Sequence, residues 1–400
     1  MRILGINSWY NGSTGNIMQM CASETRKRGH EVVMCCPFTL TNKNLKKDNT
    51  QWLFGQIILR KLSEKLAYLT SKNGCFNRID TWLLLRRIKK WRPDVIHLHN
   101  LHPDYINLPL LFSFIKKNNI PVVWTLHDCW AFTGGCAHFE KGCSKWKEQC
   151  YGCKLYRVYP ASMFDNSRRK YIQKKQWFTG VDNMVLCTPS KWLANLCEQS
   201  FMSDYPIRAI NNGIDLNIFW PHKSNIRERF SIKRRWMVLA VASGWTEMKG
   251  VDVVCRIAEM LSDDYQVVMV GAINKVENYI PKNVITIQRT EDQCMLSDIY
   301  SAADVFINPT RQEVLSMVNI EAIACGTPVV TFRAGGAPET IDDTCGVVVE
   351  QEDVAAMKNE IIRICGQHPY SVEACCKRAQ IFDKHRVYNK YVDVYEMIVQ

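Results

Sequence analysis

Residues 305–330 read VFINPTRQEVLSMVNIEAIACGTPVV, and this stretch decides the fold. It begins and ends with apolar runs of the kind that form buried strands in a parallel sheet. Between the two runs, Ser316 is a helix N-cap candidate, and Gly326 followed by Pro328 marks a helix end. The stretch therefore predicts a strand, a helix over about 317–325 and a second strand, which together make one βαβ unit.

Short apolar runs alternate with amphipathic stretches along the whole chain. The predicted strands of a first series are Arg2–Ile6, Glu31–Cys36, Val95–Leu98, Val122–Leu126 and Val185–Thr188. Those of a second series are Val238–Ala242, Val267–Val270, Val284–Ile287, Val305–Ile307 and Val329–Thr331. We therefore predict an α/β protein with two tandem Rossmann-like, doubly wound domains. The domains are predicted at residues 1–205 and 206–387, followed by a C-terminal helix at 388–400.

Two carboxylates flank the start of the helix predicted in the opening stretch. Glu313 precedes the helix and Glu321 lies within it, with seven residues between them. The helix start at Ser316, Met317 and Val318 offers unpaired backbone N–H groups and a positive dipole end, which suits a diphosphate. Nearby carboxylates accept hydrogen bonds from sugar hydroxyls. This combination predicts a nucleotide-sugar site.

An ordered set of motifs extends this pattern through the C-terminal half. It comprises NGID at 212–215, KG at 249–250, AADVFINP at 302–309, the Glu313–Glu321 spacing, ACGTPVV at 324–330 and GGAPE at 335–339. The set resembles that of the retaining glycosyltransferases of family four, which share the GT-B fold of two Rossmann-like domains. The resemblance implies that the C-terminal helix returns to the first domain. It also implies a UDP- or GDP-linked sugar donor held mainly by the second domain, an acceptor held mainly by the first, and no required cofactor or metal.

The resemblance also implies roles for individual residues. Glu321 would hold the nucleotide ribose, and Glu313 the hydroxyls of the donor sugar. Lys249 would neutralise charge on the leaving diphosphate. We predict Glu313, Lys249 and His127 as the catalytic residues.

Three positions depart from the family pattern. Gly244 stands where the family has an arginine, which removes one bidentate cation from the diphosphate site. Lys249 and the helix start would then bind the diphosphate alone, or Arg311 would compensate. Val314 and Ser316 stand where the family has glycines, which alters how closely the loop approaches the sugar.

A loop of small residues follows the first predicted strand. It reads NGSTGN over residues 11–16, and Gly12 and Gly15 let a backbone approach a ligand closely. In the resembled family this loop faces the donor sugar and phosphates. An ordinary strand-to-helix turn is the alternative interpretation.

Histidines follow two neighbouring strands of the first series, at the strand ends where open α/β sheets bind ligands. His127 and Asp128 follow one strand, and the resemblance implies that His127 contacts the donor sugar. His97, His99 and His102 lie at the end of the preceding strand, where period-two spacing places the first two on one side. We expect these three and Asp128 on the acceptor side, with a metal-binding histidine pair as the alternative.

Four cysteines have the spacing C-x6-C-x6-C-x2-C: Cys136, Cys143, Cys150 and Cys153. Only the last two have the close spacing of a structural zinc motif. Some members of the resembled family carry a similar insertion. The sequence therefore leaves two interpretations, a structural zinc site and a metal-free loop on the acceptor side.

Composition limits the setting of the protein. Eighteen cysteines are scattered through 400 residues, and residues 1–6 resemble a strand rather than a secretory signal. We therefore expect reduced thiols and a cytoplasmic protein. The longest nearly apolar run, over residues 105–115, is shorter than the roughly 20 residues that a membrane-spanning helix needs.

The net charge of +12 is unevenly divided. Residues 1–210 carry 31 Lys and Arg against 14 Asp and Glu, or +17, and residues 211–400 carry 20 against 25, or −5. A basic half indicates an anionic partner, but no nucleic-acid motif occurs. The segment Leu45–Arg92 mixes basic residues with Trp, Leu and Ile. It is predicted either to lie on the inner face of the cytoplasmic membrane or to pack in the core with a solvated basic face.

These features together predict a retaining glycosyltransferase of the hexosyltransferase type. It would transfer a sugar to a glycan or lipid-linked acceptor in polysaccharide biosynthesis. The alternatives are a non-catalytic nucleotide-sugar-binding or scaffold protein of the same fold, and a nucleotide-sugar epimerase.

Overall fold

The computed structural model describes residues 1–40, 42, 49–102, 104–138, 142–273 and 276–400. The chain divides into two compact units. The first comprises Met1–Ile210 with Tyr388–Gln400, and the second comprises Asn211–Val387. Within the described residues, every helix is too short or too polar to span a lipid bilayer.

The first unit contains a seven-stranded sheet in which all neighbouring strands are parallel. Its strands are β1 (Arg2–Ile6), β2 (Glu31–Pro37), β3 (Gln51–Phe54), β4 (Val95–Leu98), β5 (Val122–Thr125), β6 (Met184–Thr188) and β7 (Ile207–Ala209). The helices are α1 (Ser13–Lys27), α2 (Ile57–Thr70), α3 (Arg78–Trp91), α4 (Leu108–Asn118), α5 (Ser167–Phe178) and α6 (Lys191–Cys197). The spatial order 3-2-1-4-5-6-7 reverses between β1 and β4, and ligands of open α/β sheets bind beyond the strand ends at such a reversal.

The second unit contains a six-stranded parallel sheet of order 10-9-8-11-12-13. Its strands are β8 (Trp236–Gly244), β9 (Tyr265–Ala272), β10 (Ile285–Ile287), β11 (Val305–Asn308), β12 (Val329–Phe332) and β13 (Gly346–Val349). The helices are α7 (Ile226–Arg229), α8 (Val251–Met260), α9 (Gln293–Ala302), α10 (Met317–Ala324), α11 (Val354–Gln367) and α12 (Val372–Ala379). The order of this sheet reverses between β8 and β11.

The prediction of two Rossmann-like domains is confirmed, but three edge strands were missed. Strands β3, β7 and β13 have only three or four residues each, too few for a pattern of alternation to stand out. Residues 52–54 of the basic segment Leu45–Arg92 pair with β2, and Trp52 and Phe54 are buried, which agrees with the core-packing alternative for this part. Residues 45–48 of that segment lie outside the described residues.

The C-terminal helix α13 (Lys384–Val399) joins the first unit from Tyr388 onwards, as the family resemblance predicts. Tyr391 and Tyr395 are buried there. Arg28 forms ion pairs with Asp393 and Glu396 at the edge of this contact. The aromatic side chains therefore bury the largest apolar surface of the helix within the first unit.

Tyr391→Ala should lower the free energy of unfolding of the first unit by about 3–5 kcal/mol, since truncating a buried aromatic removes packing and leaves a cavity. Arg28→Ala, the matched control, should cost less than about 1 kcal/mol because exposed ion pairs contribute little. Urea denaturation with hydrogen exchange at the β1 and β4 amides measures both. Equal losses in the two variants would contradict the assignment of the packing to the aromatic residues.

Candidate functional site

The candidate site of the second unit is built where the sheet order reverses, beyond the ends of β8 and β11. The turn after β8 contacts the loop after β11 backbone to backbone, because Arg311 N–H donates to the Met248 carbonyl at 2.9 Å. Gly250 adopts a φ of +74°, and a Cβ there would lie 2.3 Å from the Pro309 carbonyl oxygen. Only glycine permits this approach.

This contact brings Lys249 to Glu313. Lys249 Nζ donates to Glu313 Oε2 at 2.8 Å, and the two side chains are 36% and 21% exposed. Glu313 is fixed from behind, because the Gly336 N–H donates to its carbonyl at 3.0 Å and a Cβ on Gly335 would overlap that carbonyl oxygen. The sequence predicted separate roles for Lys249 and Glu313, and the structure adds that they form an ion pair.

Helix α10 begins beside this pair, and its predicted cap is confirmed. The Ser316 hydroxyl accepts from the Asn319 N–H at 3.4 Å and from Asn308 Nδ2 at 2.8 Å. Ser316 is fully buried, so its side chain caps the helix and is not available to a ligand. Met317 and Val318 remain half-buried, and their position on the first helical turn agrees with the expected binding of an anion by backbone N–H groups.

Two of the departures from the family pattern now have a structural account. Val314 is buried, so its side chain packs into the protein instead of narrowing the loop surface. A Cβ on Gly244 would meet no atom within 4 Å, so the space of the missing arginine is open. Arg311 does not fill it, which corrects the expected compensation. Its guanidinium is bound bidentately by Asp252 and Glu352 at 2.6–2.8 Å, and these hydrogen bonds raise its pKa.

Glu321 is half-buried within α10, and Tyr300 Oη donates to its Oε2 at 3.1 Å. Burial raises the pKa of Glu321 to about 7, and the Tyr300 hydrogen bond opposes this only in part. A carboxyl that is poorly solvated gains from hydroxyl donors such as those of a ribose. The predicted ribose contact is therefore chemically reasonable and stays a prediction.

In the first unit, the two glycines of the predicted loop have different roles. Gly12 is exposed with a φ of +88°, and a Cβ there would meet nothing within 4 Å, so its backbone is open to a ligand. Gly15 is buried, and a Cβ there would lie 2.3 Å from the Tyr10 carbonyl oxygen. Gly15 is thus required by the turn itself, which corrects its expected role as a donor contact.

The histidines after β4 and β5 form a chain of ring contacts. His97 and His99 lie on the same side of the strand with ring centroids 4.0 Å apart, and His99 Nδ1 is 3.1 Å from His127 Nε2. Burial, together with the nearby histidines, lowers the pKa of His97 to about 3, and burial lowers that of His127 to about 4. These imidazoles are therefore neutral at pH 7 and act as hydrogen-bonding groups, not as cations.

His97 is not available for the acceptor contact that the sequence suggested. Its Nε2 lies 2.8 Å from Thr125 Oγ1 and its Nδ1 lies 2.6 Å from Tyr395 Oη, so both ring nitrogens are bonded within the unit. His99 is also buried, and its Nε2 has no hydrogen-bond partner among the described residues. The structure thus gives His97 a structural role.

His102 and Asp128 form a second polar contact nearby. His102 Nε2 lies 2.9 Å from Asp128 Oδ2, and His102 Nδ1 lies 3.1 Å from Tyr159 Oη. Burial opposes ionisation of Asp128, but His102 and the Trp130 N–H lower its pKa overall. The two predicted acceptor-side residues are therefore brought together, and Tyr159 joins them.

Sequence reasoning missed several residues that organise these sites. Asn308 bridges the Ser316 cap and the Asn319 side chain, and it ends the apolar strand of the quoted motif, which was a usable signal. Lys174 donates to the Trp130 and Thr133 carbonyls. Burial lowers the pKa of Lys174 to about 7. Nothing in the sequence distinguishes it from its basic neighbours.

The four cysteines of the predicted insertion line a single cavity of about 310 Å³ in the first unit. All four cysteines are free thiols. In the described part of the chain, no three His, Cys, Asp or Glu side chains are already gathered around one point as metal ligands. The zinc interpretation stays a prediction.

Two family models match the chain. Glycosyltransferase Family 4 matches residues 15–218, which is half of the chain, and Glycosyl transferases group 1 matches residues 235–367. The chain therefore belongs to glycosyltransferase family 4, and the resemblance stated from its motifs is confirmed.

Curated relatives are similar over part of their length. The chain is 27% identical over 271 residues to the putative colanic acid biosynthesis glycosyl transferase WcaC of Escherichia coli, a match that covers 66% of this chain and 65% of that protein. It is 28% identical over 205 residues to the GDP-mannose-dependent monoacylated alpha-(1-6)-phosphatidylinositol monomannoside mannosyltransferase of Corynebacterium glutamicum. That match covers 46% of this chain and 54% of the relative.

Solved structures share the fold over the whole chain. Sucrose-phosphate synthase from Thermosynechococcus elongatus superimposes with a TM-score of 0.72 at 16% identity, covering 99% of this chain and 98% of that one. Anabaena HepE in complex with UDP-glucose gives a TM-score of 0.68 at 13% identity, covering 99% and 100%. These likenesses support the GT-B fold of two Rossmann-like domains.

Glu321→Gln should make the second unit more heat-stable at pH 8 but not near pH 4.5. The folded pKa of about 7 exceeds the ordinary value of 4.5, so wild-type stability falls as the pH rises through this window and the full penalty applies above it. The advantage of the Gln variant should reach several degrees at pH 8, since about 1 kcal/mol shifts Tm by roughly 2–4 °C in a domain of this size.

Differential scanning calorimetry over this pH range measures the effect. Glu259→Gln, on the exposed face of α8, is the matched control and should show no comparable trend. A Glu321→Gln advantage that does not change with pH would contradict the raised pKa of this carboxyl.

Proposed function

We propose that the protein is a retaining glycosyltransferase that transfers a hexose from a UDP- or GDP-linked donor to a glycan or lipid-linked acceptor. The observation that carries the proposal is the Lys249–Glu313 ion pair beside the start of α10, at the strand-order reversal of the second unit. Membership of glycosyltransferase family 4 supports it, as do relatives named for colanic acid biosynthesis and for transfer from GDP-mannose.

Lys249 and the first turn of α10 would bind the donor diphosphate. The ammonium group provides a full positive charge, and the backbone N–H groups of Met317 and Val318 provide directed donors. When a donor binds, Lys249 exchanges its carboxylate partner for a phosphate oxygen. Glu313 is then free to accept hydrogen bonds from sugar hydroxyls, so one ion pair prepares both contacts.

Transfer with retention then needs no covalent nucleophile from the protein. The bond between the anomeric carbon and the phosphate oxygen breaks while an acceptor hydroxyl attacks from the same face. The leaving phosphate takes the hydroxyl proton, and Lys249 stabilises the negative charge that develops on the diphosphate. His127 is neutral at pH 7 and would position a sugar hydroxyl near the reacting carbon.

The acceptor is proposed to be a lipid-linked sugar at an anionic bilayer surface, because α2 exposes its apolar face. Ile58, Leu62, Leu66 and Leu69 recur at helical spacing and are 79%, 52%, 36% and 40% exposed. The helix instead buries Ser63 and Ala67, together with no large apolar side chain. An amphipathic helix that packs its small residues inward leaves its leucines for an apolar partner.

Exposed basic residues on α2 and α3 indicate the sign of the partner. Lys61 and Lys65 are exposed on α2, and Arg86, Lys89 and Lys90 are exposed on α3. Trp82 is 52% exposed with the Arg86 guanidinium 4.8 Å from its ring centroid. A surface with both apolar and basic side chains suits an anionic membrane, and peripheral association with the cytoplasmic membrane follows from this proposal.

Lys249→Ala should weaken binding of UDP or GDP by about 1.5–3 kcal/mol, the range for hydrogen bonds to charged groups, which is roughly ten- to a hundredfold in Kd. Glu313→Gln should leave nucleoside-diphosphate affinity within a few-fold but strongly reduce sugar transfer, because its proposed partner is the sugar. Isothermal titration calorimetry and release of UDP or GDP from UDP-glucose or GDP-mannose measure the two effects.

Lys233→Ala, at an exposed position of the same unit, is the matched control and should bind normally. Gly244→Arg places a cation in open space and should tighten donor binding if the diphosphate lies there. Normal diphosphate binding by Lys249→Ala would place the diphosphate elsewhere. Turnover of the donor without an acceptor would favour an epimerase, and binding without any turnover would favour a scaffold.

The protein should sediment with anionic phosphatidylglycerol vesicles at low salt and far less with neutral phosphatidylcholine vesicles. A variant with Arg86, Lys89 and Lys90 changed to Gln should lose up to roughly a hundredfold in affinity, since each basic residue contributes about 1 kcal/mol near such a surface. Arg87 is left unchanged because its guanidinium stacks 4.0 Å from the Trp52 ring centroid. Ile58→Gln with Leu62→Gln should remove the salt-resistant part of the binding.

Met397→Gln, another exposed apolar position of the first unit, is the control for the apolar variant. Circular dichroism establishes that each variant is folded. Absence of binding to anionic vesicles at low salt would rule out the membrane proposal. A water-soluble glycan would then replace the lipid-linked sugar as the proposed acceptor.

A further inference from the structure

The connection between β5 and α5 is long and has little regular structure. Residues 126–166 contain only two single-turn helices in their described part, Trp130–Phe132 and Lys145–Lys147. A connection of this length with so little regular structure is uncommon in a compact domain, and cross-links are one way to hold it in one conformation. The side chains available for such cross-links are the four cysteines that line the 310 Å³ cavity.

Two of the four cysteines directly follow glycines in the left-handed backbone conformation. Gly142 and Gly152 have φ values of +85° and +52° and immediately precede Cys143 and Cys153. Lys145 Nζ donates to the Tyr151 and Gly152 carbonyls at 3.0 and 3.4 Å, which fixes the turn between the last two cysteines. Gly152 lies inside the C-x2-C turn, where glycine adopts a left-handed conformation without steric cost.

Two further contacts involve the cysteines directly. The Gly134 N–H donates to Cys150 Sγ at 3.1 Å, which is the kind of hydrogen bond that stabilises a metal-bound thiolate. The Cys153 N–H donates to Asp165 Oδ2 at 2.8 Å, and Asp165 Oδ1 accepts from the Ser167 N–H at 2.9 Å. The C-x2-C turn is thereby attached to the start of α5.

We propose that Cys136, Cys143, Cys150 and Cys153 bind one structural Zn²⁺ ion. Four thiolates in a tetrahedron, with Zn–S distances of about 2.3 Å, are a common ligand set for structural zinc. The thiols line the cavity without meeting at one point, so binding turns the cysteine side chains inward and releases their protons. Each cysteine has a single side-chain torsion, χ1. The free-energy cost of this rearrangement is therefore small beside the free energy that structural zinc contributes.

The zinc would hold the part of the connection that positions Asp128. Thr133 Oγ1 donates to the Cys136 carbonyl at 2.6 Å, and Lys174 fixes the Trp130 and Thr133 carbonyls. The Trp130 N–H in turn donates to Asp128 Oδ1 at 2.8 Å. The chain from Cys136 back to Asp128 is thus continuously bonded, and a metal at its end would restrain the contact between Asp128 and His102.

The test uses the untagged full chain, purified without chelator, so that no added histidines bind metal. Mass spectrometry of metals should find about one zinc per chain, and replacement by Co²⁺ should give the intense thiolate-to-cobalt absorption of a tetrahedral site. Cys150→Ser and Cys153→Ser should each lose the metal. Cys294→Ser, at an exposed position of the second unit, should retain it.

Wild-type protein provides a second measurement that does not depend on the folding of these variants. Titration with a mercurial reagent in the presence of a zinc indicator should release one zinc as four thiols react. A chain that holds no zinc and takes up none from added Zn²⁺ would overturn the proposal. So would zinc that persists in all four single Ser variants.

Discussion

The candidate site of the second unit depends on two glycines at which backbone lies against backbone with no room for a side chain. Gly250 lies against the Pro309 carbonyl, and Gly335 lies against the carbonyl of Glu313. These approaches bring three loops from the carboxyl ends of different strands to one point. The position of Glu313 follows from them, because its main chain is held between the two contacts. The ion pair with Lys249 is therefore a consequence of glycine packing as much as of charge.

The same glycine contacts explain why the loop tolerates Val314 and Ser316, which replace glycines of the family pattern. Val314 is buried, and the path of its loop is already fixed by the glycine contacts. Ser316 belongs to a buried hydrogen-bond network with Asn308 and Asn319. Arg311 forms ion pairs with the carboxylates of Asp252 and Glu352. A Cβ on Gly244 would meet no atom within 4 Å, so the position of the family arginine has no side chain here. Positive charge at the candidate donor site is thus concentrated on Lys249 and the helix start.

Sequence patterns were sufficient for the buried strands and for α10, because those elements carry local signals. Central strands are continuous apolar runs, and α10 has a capping serine before it and a left-handed glycine after it. The edge strands were missed because they are short and only partly buried. The role of His97 was beyond reach, since its partner Tyr395 lies almost at the other end of the chain. The sequence also did not reveal which face of α2 packs inward. The helix buries Ser63 and Ala67 and exposes leucines, which inverts the usual pattern of an amphipathic helix.

The return of α13 has a consequence for the order in which the protein forms. Residues 388–400 follow the whole second unit along the chain, yet Tyr391 and Tyr395 belong to the core of the first. During synthesis, all residues of the second unit emerge before residues 388–400 do. Until α13 packs, the apolar surface of the first unit beside β1 and β4 therefore stays uncovered. The histidine chain at the end of β4 is complete only when the terminal helix arrives. A nascent chain that stops short of residue 391 would contain every residue of the second unit, while the first would lack Tyr391 and Tyr395.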